Sequence, residues 1–304
     1  MSDRASAGPN RTWLRVLLGF VVLYLAIYVV RLVMGVGPNL LLRHFGASAD
    51  FRAFVGSTLN YGVGIVAYIM FPAIALQKII GIDAWPRFFP ARPGWWKYLL
   101  GGILLVGVVL AIFFAIELSL GWLRVDAWTW NSLSGDAWLR VAWVGLLVNV
   151  GVAIGEETVF RGYLLTGLKS VWGRWPALVC MTVIFGLFHL PAYLANDNRP
   201  AAVGLSIVLA SLFGLLFGLV YLRTSTLWLP AALHFAWNFI ENDVLNLSAD
   251  SSNPNLVGAL TRLQGPLQAD GSGVLTVLVE TLAFFVIAGS LALWLRHPRL
   301  YETS

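Results

Sequence analysis

Stretches close to the ~20 apolar residues that carry an α-helix across a bilayer recur along this chain at about 13–33, 54–76, 98–120, 141–168, 176–194, 201–222, 227–247 and 274–295. That repetition leaves little choice of fold. The expected class is all-α, a polytopic membrane helix bundle with about eight transmembrane helices. With 59% hydrophobic and only 12% charged residues, the chain is unlike a soluble enzyme, in which about a quarter of residues are charged. Its 14 Trp and 9 Tyr suit the aromatic belts of a membrane protein.

Residues 1–10 are small and polar, and the apolar run from Trp13 is longer than a signal-peptide core, so the first span is expected to be retained. Pro38, Pro86, Pro90 and Pro93 are expected in connections, because proline cannot continue a helix. The stretch 85–96 reads as interfacial, and the polar stretch 248–273 as a loop. Three parts follow: N-terminal transmembrane helices at 1–140, a core at 141–242, and a loop with a C-terminal transmembrane helix at 243–304.

Basic residues set the orientation. Arg4, Arg11 and Arg15 precede the first span. Lys78, Arg87, Arg92 and Lys97 lie between the second and third. Lys169 and Arg174 follow the fourth, Arg223 the sixth, and Arg296 and Arg299 the last. The connection after the seventh holds Asp250 and Asp270 against Arg262 alone. Both termini are then expected to be cytoplasmic, in a protein of the plasma membrane. Arg31, Arg43 and Arg52 fit this pattern less well. The net charge of +5 is dispersed, with no basic block interleaved with aromatics, so no nucleic-acid partner is expected. The single cysteine, Cys180, rules out an internal disulfide. It has no neighbouring charge in sequence to activate it as a nucleophile.

Polar groups inside these spans carry the functional reading. The segment 155–162 places Glu156, Glu157 and Arg161 within the fourth span, where ionisable residues face a cavity and pair with one another. Glu157 and Arg161 stand four apart with the acid first, the favourable order for a helical ion pair. Glu156 is left without a cation and free for chemistry. His189 interrupts the fifth span, and His234 and Asn238 share one face of the seventh, a turn apart. At 1.5 Å per residue, Glu156 lies about 18 Å from Lys169, His189 about 20 Å from Pro176 and His234 about 12 Å from Thr226. Those three ends fall on the same expected side of the membrane, so the three polar positions are compatible with one chamber.

A carboxylate, two imidazoles and a carboxamide suit hydrolysis by an activated water: a carboxylate can take its proton, and nitrogen donors can hold the oxyanion that develops on a scissile carbonyl. No Gly-Xaa-Ser-Xaa-Gly motif is present to support a serine mechanism.

The residues resemble the CPBP family, which groups type II CAAX prenyl endopeptidases with bacteriocin-processing and immunity (Abi) proteins. The family pattern is Glu-Glu-x-x-x-Arg, Phe-x-x-x-His and His-x-x-x-Asn or Asp. Here it is filled in order by Glu156, Glu157 and Arg161, by Phe185 and His189, and by His234 and Asn238. The likeness covers about 141–242. It implies an intramembrane endopeptidase in which Glu156 and His189 activate water and His234 and Asn238 form the oxyanion site. Glu157, Arg161 and Phe185 would support them. The implied partners are a peptide or protein substrate, lipidated in the prenyl endopeptidases, and the lipid bilayer.

No cofactor is expected. A divalent metal is the lesser mechanism, since His-Glu-x-x-His is missing and no two of these histidines share a helical turn. Two other classes compete: a non-catalytic membrane immunity or scaffold protein of the same family, and a transporter that uses the buried charges. Gly214 and Gly218 read as helix packing rather than a gate.

Overall fold

The computed structural model describes residues 11–121, 123–128, 134–196, 200–244, 258–262 and 274–295. Helices dominate it, running in order as α1 (Thr12–His44), α2 (Ala49–Ile80), α3 (Trp95–Ser119) and α4 (Gly135–Glu156). A π-helical stretch, Glu157–Leu165, joins α4 to α5 (Thr166–Trp172) without a break. Then come α6 (Arg174–Phe188), α7 (Leu190–Asn196), α8 (Pro200–Thr224) and α9 (Trp228–Asn238), a second π-helical stretch (Phe239–Val244), and α10 (Val274–Trp294).

Each of the expected apolar stretches is helical over its described residues, and among the described residues 6 helical segments are long and apolar enough to cross a membrane. The segment from Thr281 to Trp294 is a shorter apolar helix, and α9 with its π-helical extension ends at Val244. Ends are set locally. Ser48 and Ser134 cap α2 and α4 by accepting from the amides of Phe51 and Ala137, which satisfies donors the first turn leaves over. Gly81 closes α2 in the left-handed region at φ 77°, where a residue without Cβ is unstrained.

Two expectations change. Pro38 lies inside α1 rather than in a connection. The helix runs on to His44 packed along α2, and a membrane helix tolerates proline where neighbours compensate the lost bond. The stretch 85–96 is more than interfacial, because Phe88 is inserted into the bundle. Its carbonyl accepts from the Leu227 amide at 2.9 Å, and the Trp228 indole donates to the Pro90 carbonyl at 3.0 Å. These bonds tie the α2–α3 connection to the start of α9.

A small antiparallel ribbon pairs β1 (Leu123–Trp128) with β2 (Gly258–Arg262), with an irregularity between Val125 and Ala127. So the part of the 248–273 loop that is described forms a strand. Its remainder, like residues 1–10 and the basic residues Arg296 and Arg299, lies outside the described residues.

The bundle is inside out in composition. Large apolar side chains such as Val22, Leu25, Leu104 and Val179 point outward, as expected when the surrounding solvent is hydrocarbon. At the centre is the π-helical stretch, every residue of which is buried. Val159, Phe160, Tyr163 and Leu164 pack there against α1, α2 and α6, while a second apolar cluster joins α3, α8, α9 and α10 around Val106, Phe217, Leu233 and Ile287.

Gly162 makes the centre possible, since a Cβ there would lie 2.7 Å from the Phe88 ring. Overpacking a filled core costs about 1–3 kcal/mol. Gly162→Ala is therefore expected to lower the thermal midpoint of the detergent-solubilised protein, and Phe88→Leu to restore part of the loss. An unchanged midpoint in Gly162→Ala would show that Phe88 is not fixed in this position.

Candidate active site

Local chain geometry at 154–161 presents the charged cluster. Thr158 Oγ1 donates to the Ile154 and Gly155 carbonyls at 2.7 and 3.0 Å, a side-chain bond that competes with the regular ladder. The helix widens to π form from Glu157. Such single-stretch π segments are frequent at functional sites.

Glu157 and Arg161 are both fully buried and paired at 2.9 Å. Arg161 also donates to the Gly214 carbonyl of α8 at 3.1 Å. Its guanidinium lies over the rings of Phe185 and Phe217, at 4.3 and 5.4 Å from their centroids, so cation–π attraction replaces some of the lost hydration. The buried cation thereby holds three chain segments together, its own π-helical stretch, α6 and α8.

The histidines arrive from separate helices. His189 is the C-terminal cap of α6, and its Nδ1 lies 2.8 Å from the Phe185 carbonyl. A carbonyl only accepts, so Nδ1 carries the proton and Nε2 keeps its lone pair when the ring is neutral. Tyr193 stacks on this ring. His234, on α9, donates from Nδ1 to the same Glu157 Oε1 that Arg161 holds, at 2.9 Å, and stacks on Phe217. Its Nε2 is likewise turned away from its anchor.

Both Nε2 atoms meet Glu156. Each is 3.8 Å from Glu156 Oε2, too far for a direct hydrogen bond. That oxygen is buried and has no hydrogen-bond partner among the described residues. Glu157 is therefore the carboxylate that is spoken for, and Glu156 the one that is not. Asn238 stands one turn beyond His234 at the end of α9, partly buried. The structure thus brings Glu156, His189 and His234 together, with Glu157, Arg161 and Phe185 behind them. Among the described residues no group of three His, Cys, Asp or Glu is arranged to hold a metal ion.

Sequence reasoning passed over several neighbours. Tyr24 of α1 and Tyr68 of α2 lie within electrostatic reach of Glu156. A Cβ on Gly155 would come within 2.7 Å of the Tyr68 ring, so a residue without one lets that ring approach. Asn149 joins Asp243 across the bundle at 2.6 Å. A polar residue inside an apolar span was the only signal for these, and it does not say which helix lies opposite.

Residues 138–240 match the family model described as type II CAAX prenyl endopeptidase Rce1-like. No curated protein and no solved structure matches the chain. The matched segment runs from the start of α4 to just past Asn238, and so contains every residue of the cluster. Together with the membrane-length helices it makes the chain an integral membrane protein of a peptidase kind. Residues 138–240 form an Rce1-like domain, of the type II CAAX prenyl endopeptidase family.

Proposed function

We propose that the protein is an intramembrane endopeptidase that hydrolyses a peptide bond with water activated by Glu156 and His189, the oxyanion being held by His234 and Asn238. One observation carries the reading: a buried carboxylate oxygen without a hydrogen bond, facing two imidazole nitrogens at 3.8 Å each. A water among these atoms can donate to Glu156 and to His189 Nε2 while its lone pair faces a carbonyl carbon. As the new C–O bond forms, Glu156 takes the water's proton and the carbonyl oxygen becomes an anion. Glu156 then passes the proton to the amide nitrogen, the C–N bond breaks, and a free acid and a free amine leave.

The Nδ1 bond to Glu157 limits what His234 can do. With Nδ1 donating, Nε2 donates to an oxyanion only when the ring carries both protons. In that form its charge faces the Glu157 carboxylate on the far side of the ring. Glu157 and Arg161 are then positioning residues, and Asn238 supplies a neutral second donor.

The spacing favours water over a metal between these groups. A tetrahedral ion with bonds of about 2.0–2.1 Å sets its ligands roughly 3.3–3.4 Å apart, closer than the 3.8 Å found. Purified protein in lipid nanodiscs, washed with chelator and shown metal-free by elemental analysis, is expected to cleave peptides at its full rate. Loss of cleavage on washing, with recovery on adding a divalent ion, would replace the water mechanism by a metal one.

The substrate in this reading is a peptide or protein reaching the site from the bilayer, with a prenylated tail as the family's prenyl endopeptidases suggest. Both termini cytoplasmic is the orientation that the basic residues support.

A further inference from the structure

The span that begins at Trp95 and the span that ends at Thr224 share a small cleft with the start of α9. Arg92, Thr224 and Thr226 line it, together with Tyr98 and the indoles of Trp95 and Trp228, whose rings are 4.3 Å apart. The internal volume is about 50 Å³, where a single water needs ~10–15 Å³. Such a space takes a compact polar group rather than a peptide.

Positive charge gathers around it. Arg92 is in the wall, Arg223 adjoins Thr224, Lys97 lies in the first turn of α3, and Arg87 is within electrostatic reach of Tyr221 near the end of α8. Within 81–98 and 220–230 the one acid is Asp83, and its carboxylate accepts from the Trp85 amide at 3.1 Å. Arg92 donates to the Pro86 carbonyl at 3.3 Å, and Arg223 to the Leu295 carbonyl at 3.4 and 3.0 Å. These acceptors are neutral, and among the described residues no carboxylate pairs with Arg87, Arg92, Lys97 or Arg223. The starts of α3 and α9 have no side-chain cap and no acid in the first turn, so their amide ends add to the positive field. Cations without carboxylates around a cleft of this size suit an anion with several acceptor oxygens, which is the chemistry of a phosphate.

Depth decides which phosphate. The cleft lies where two spans reach their boundary, the level of lipid headgroups, at which indoles also concentrate. From there α3 carries an outward stripe of Trp96, Leu100, Leu104 and Val108, four residues apart and each at least half exposed, along which acyl chains can lie. A free anion would make no use of that stripe. We infer that the cleft binds the headgroup phosphate of an anionic phospholipid, with Arg92 as its principal ligand. Basic pockets between membrane helices hold anionic headgroups in this way. A choline headgroup carries its own cation into the same positive field and is disfavoured. The site is independent of the proposed hydrolysis.

The test uses full-length protein in neutral detergent, titrated with dioleoyl phosphatidylglycerol or dioleoyl phosphatidylcholine and read by native mass spectrometry. Phosphatidylglycerol is expected to bind more than tenfold tighter. The ratio should fall to within threefold of one in Arg92→Gln, stay intermediate in Arg92→Lys and drop below one in Arg92→Glu. Arg92 is exposed, so these variants should keep the wild-type thermal midpoint. Arg43→Gln removes the same charge from the last turn of α1 and should leave the ratio within twofold of wild type. A wild-type ratio near one, or a ratio unchanged in Arg92→Gln, overturns the site. So does an equal loss in Arg43→Gln, since net charge alone would then set the preference, and so does a parallel loss of both lipids in Arg92→Gln, which would mark a structural role. Inorganic phosphate or glycerol 3-phosphate that competes as well as phosphatidylglycerol at equal concentration would overturn the lipid assignment in favour of a free anion.

Discussion

Glu156→Gln is expected to lower peptide cleavage by about 10²–10⁴-fold, the usual contribution of a positioned general base, while the thermal midpoint barely moves. The exchange keeps the size of the side chain and replaces an oxygen that has no hydrogen-bond partner. Folding therefore has little to lose, whereas water loses its proton acceptor. Cleavage by purified, correctly inserted Glu156→Gln at the wild-type rate would remove Glu156 from the mechanism. A biological role that persists in this variant while cleavage is abolished would instead point to the immunity or scaffold class, in which the cluster binds without cutting.

The second large effect falls on stability. Arg161→Met is expected to destabilise the protein by about 3–5 kcal/mol, the range for breaking a buried ion pair from one side. Glu157 would remain fully buried with only the His234 ring against its charge, and the Gly214 carbonyl would lose its link to α5's preceding turn. The penalty comes mainly from the stranded carboxylate, so the double replacement Glu157→Gln with Arg161→Met should recover most of the stability. It should not recover activity, because Glu157 also anchors His234 at 2.9 Å. Thermal denaturation in detergent and kcat/KM on the same preparations check both halves. Equal thermal midpoints for the single and double variants would show that the charge pair is not what Arg161 contributes.

The site differs from its surroundings in how its side chains are tied. Arg161 is held by a carboxylate, a carbonyl and two rings, and His189 by a carbonyl and its stacking partners. These anchors keep both imidazoles aimed at Glu156 without touching it. In the proposed hydrolysis, groups held this way need little reorganisation when charge develops.

Some of this was legible in the residue order alone. Apolar runs of membrane length dictate helices, because a backbone amide in hydrocarbon has no other partner. The four-residue spacing of Glu157 and Arg161 dictates their pairing, since such positions are neighbours on one helix. Even the division between an occupied and an unoccupied glutamate could be read from which acid had a cation within one turn.

What lies across a gap between helices could not be read. That His234 shares Glu157 with Arg161, that Phe88 fills the place left by Gly162, and that the Tyr68 ring stands beside the turn before Glu156 are decisions of packing. Hydropathy is a property of each stretch by itself, and lipid surrounds every apolar face equally well. Which helices touch, and at what depth, depends instead on the shapes of their surfaces: where a glycine lets a ring approach, where a π-helical stretch widens the turn, and where a buried charge finds a partner on another segment.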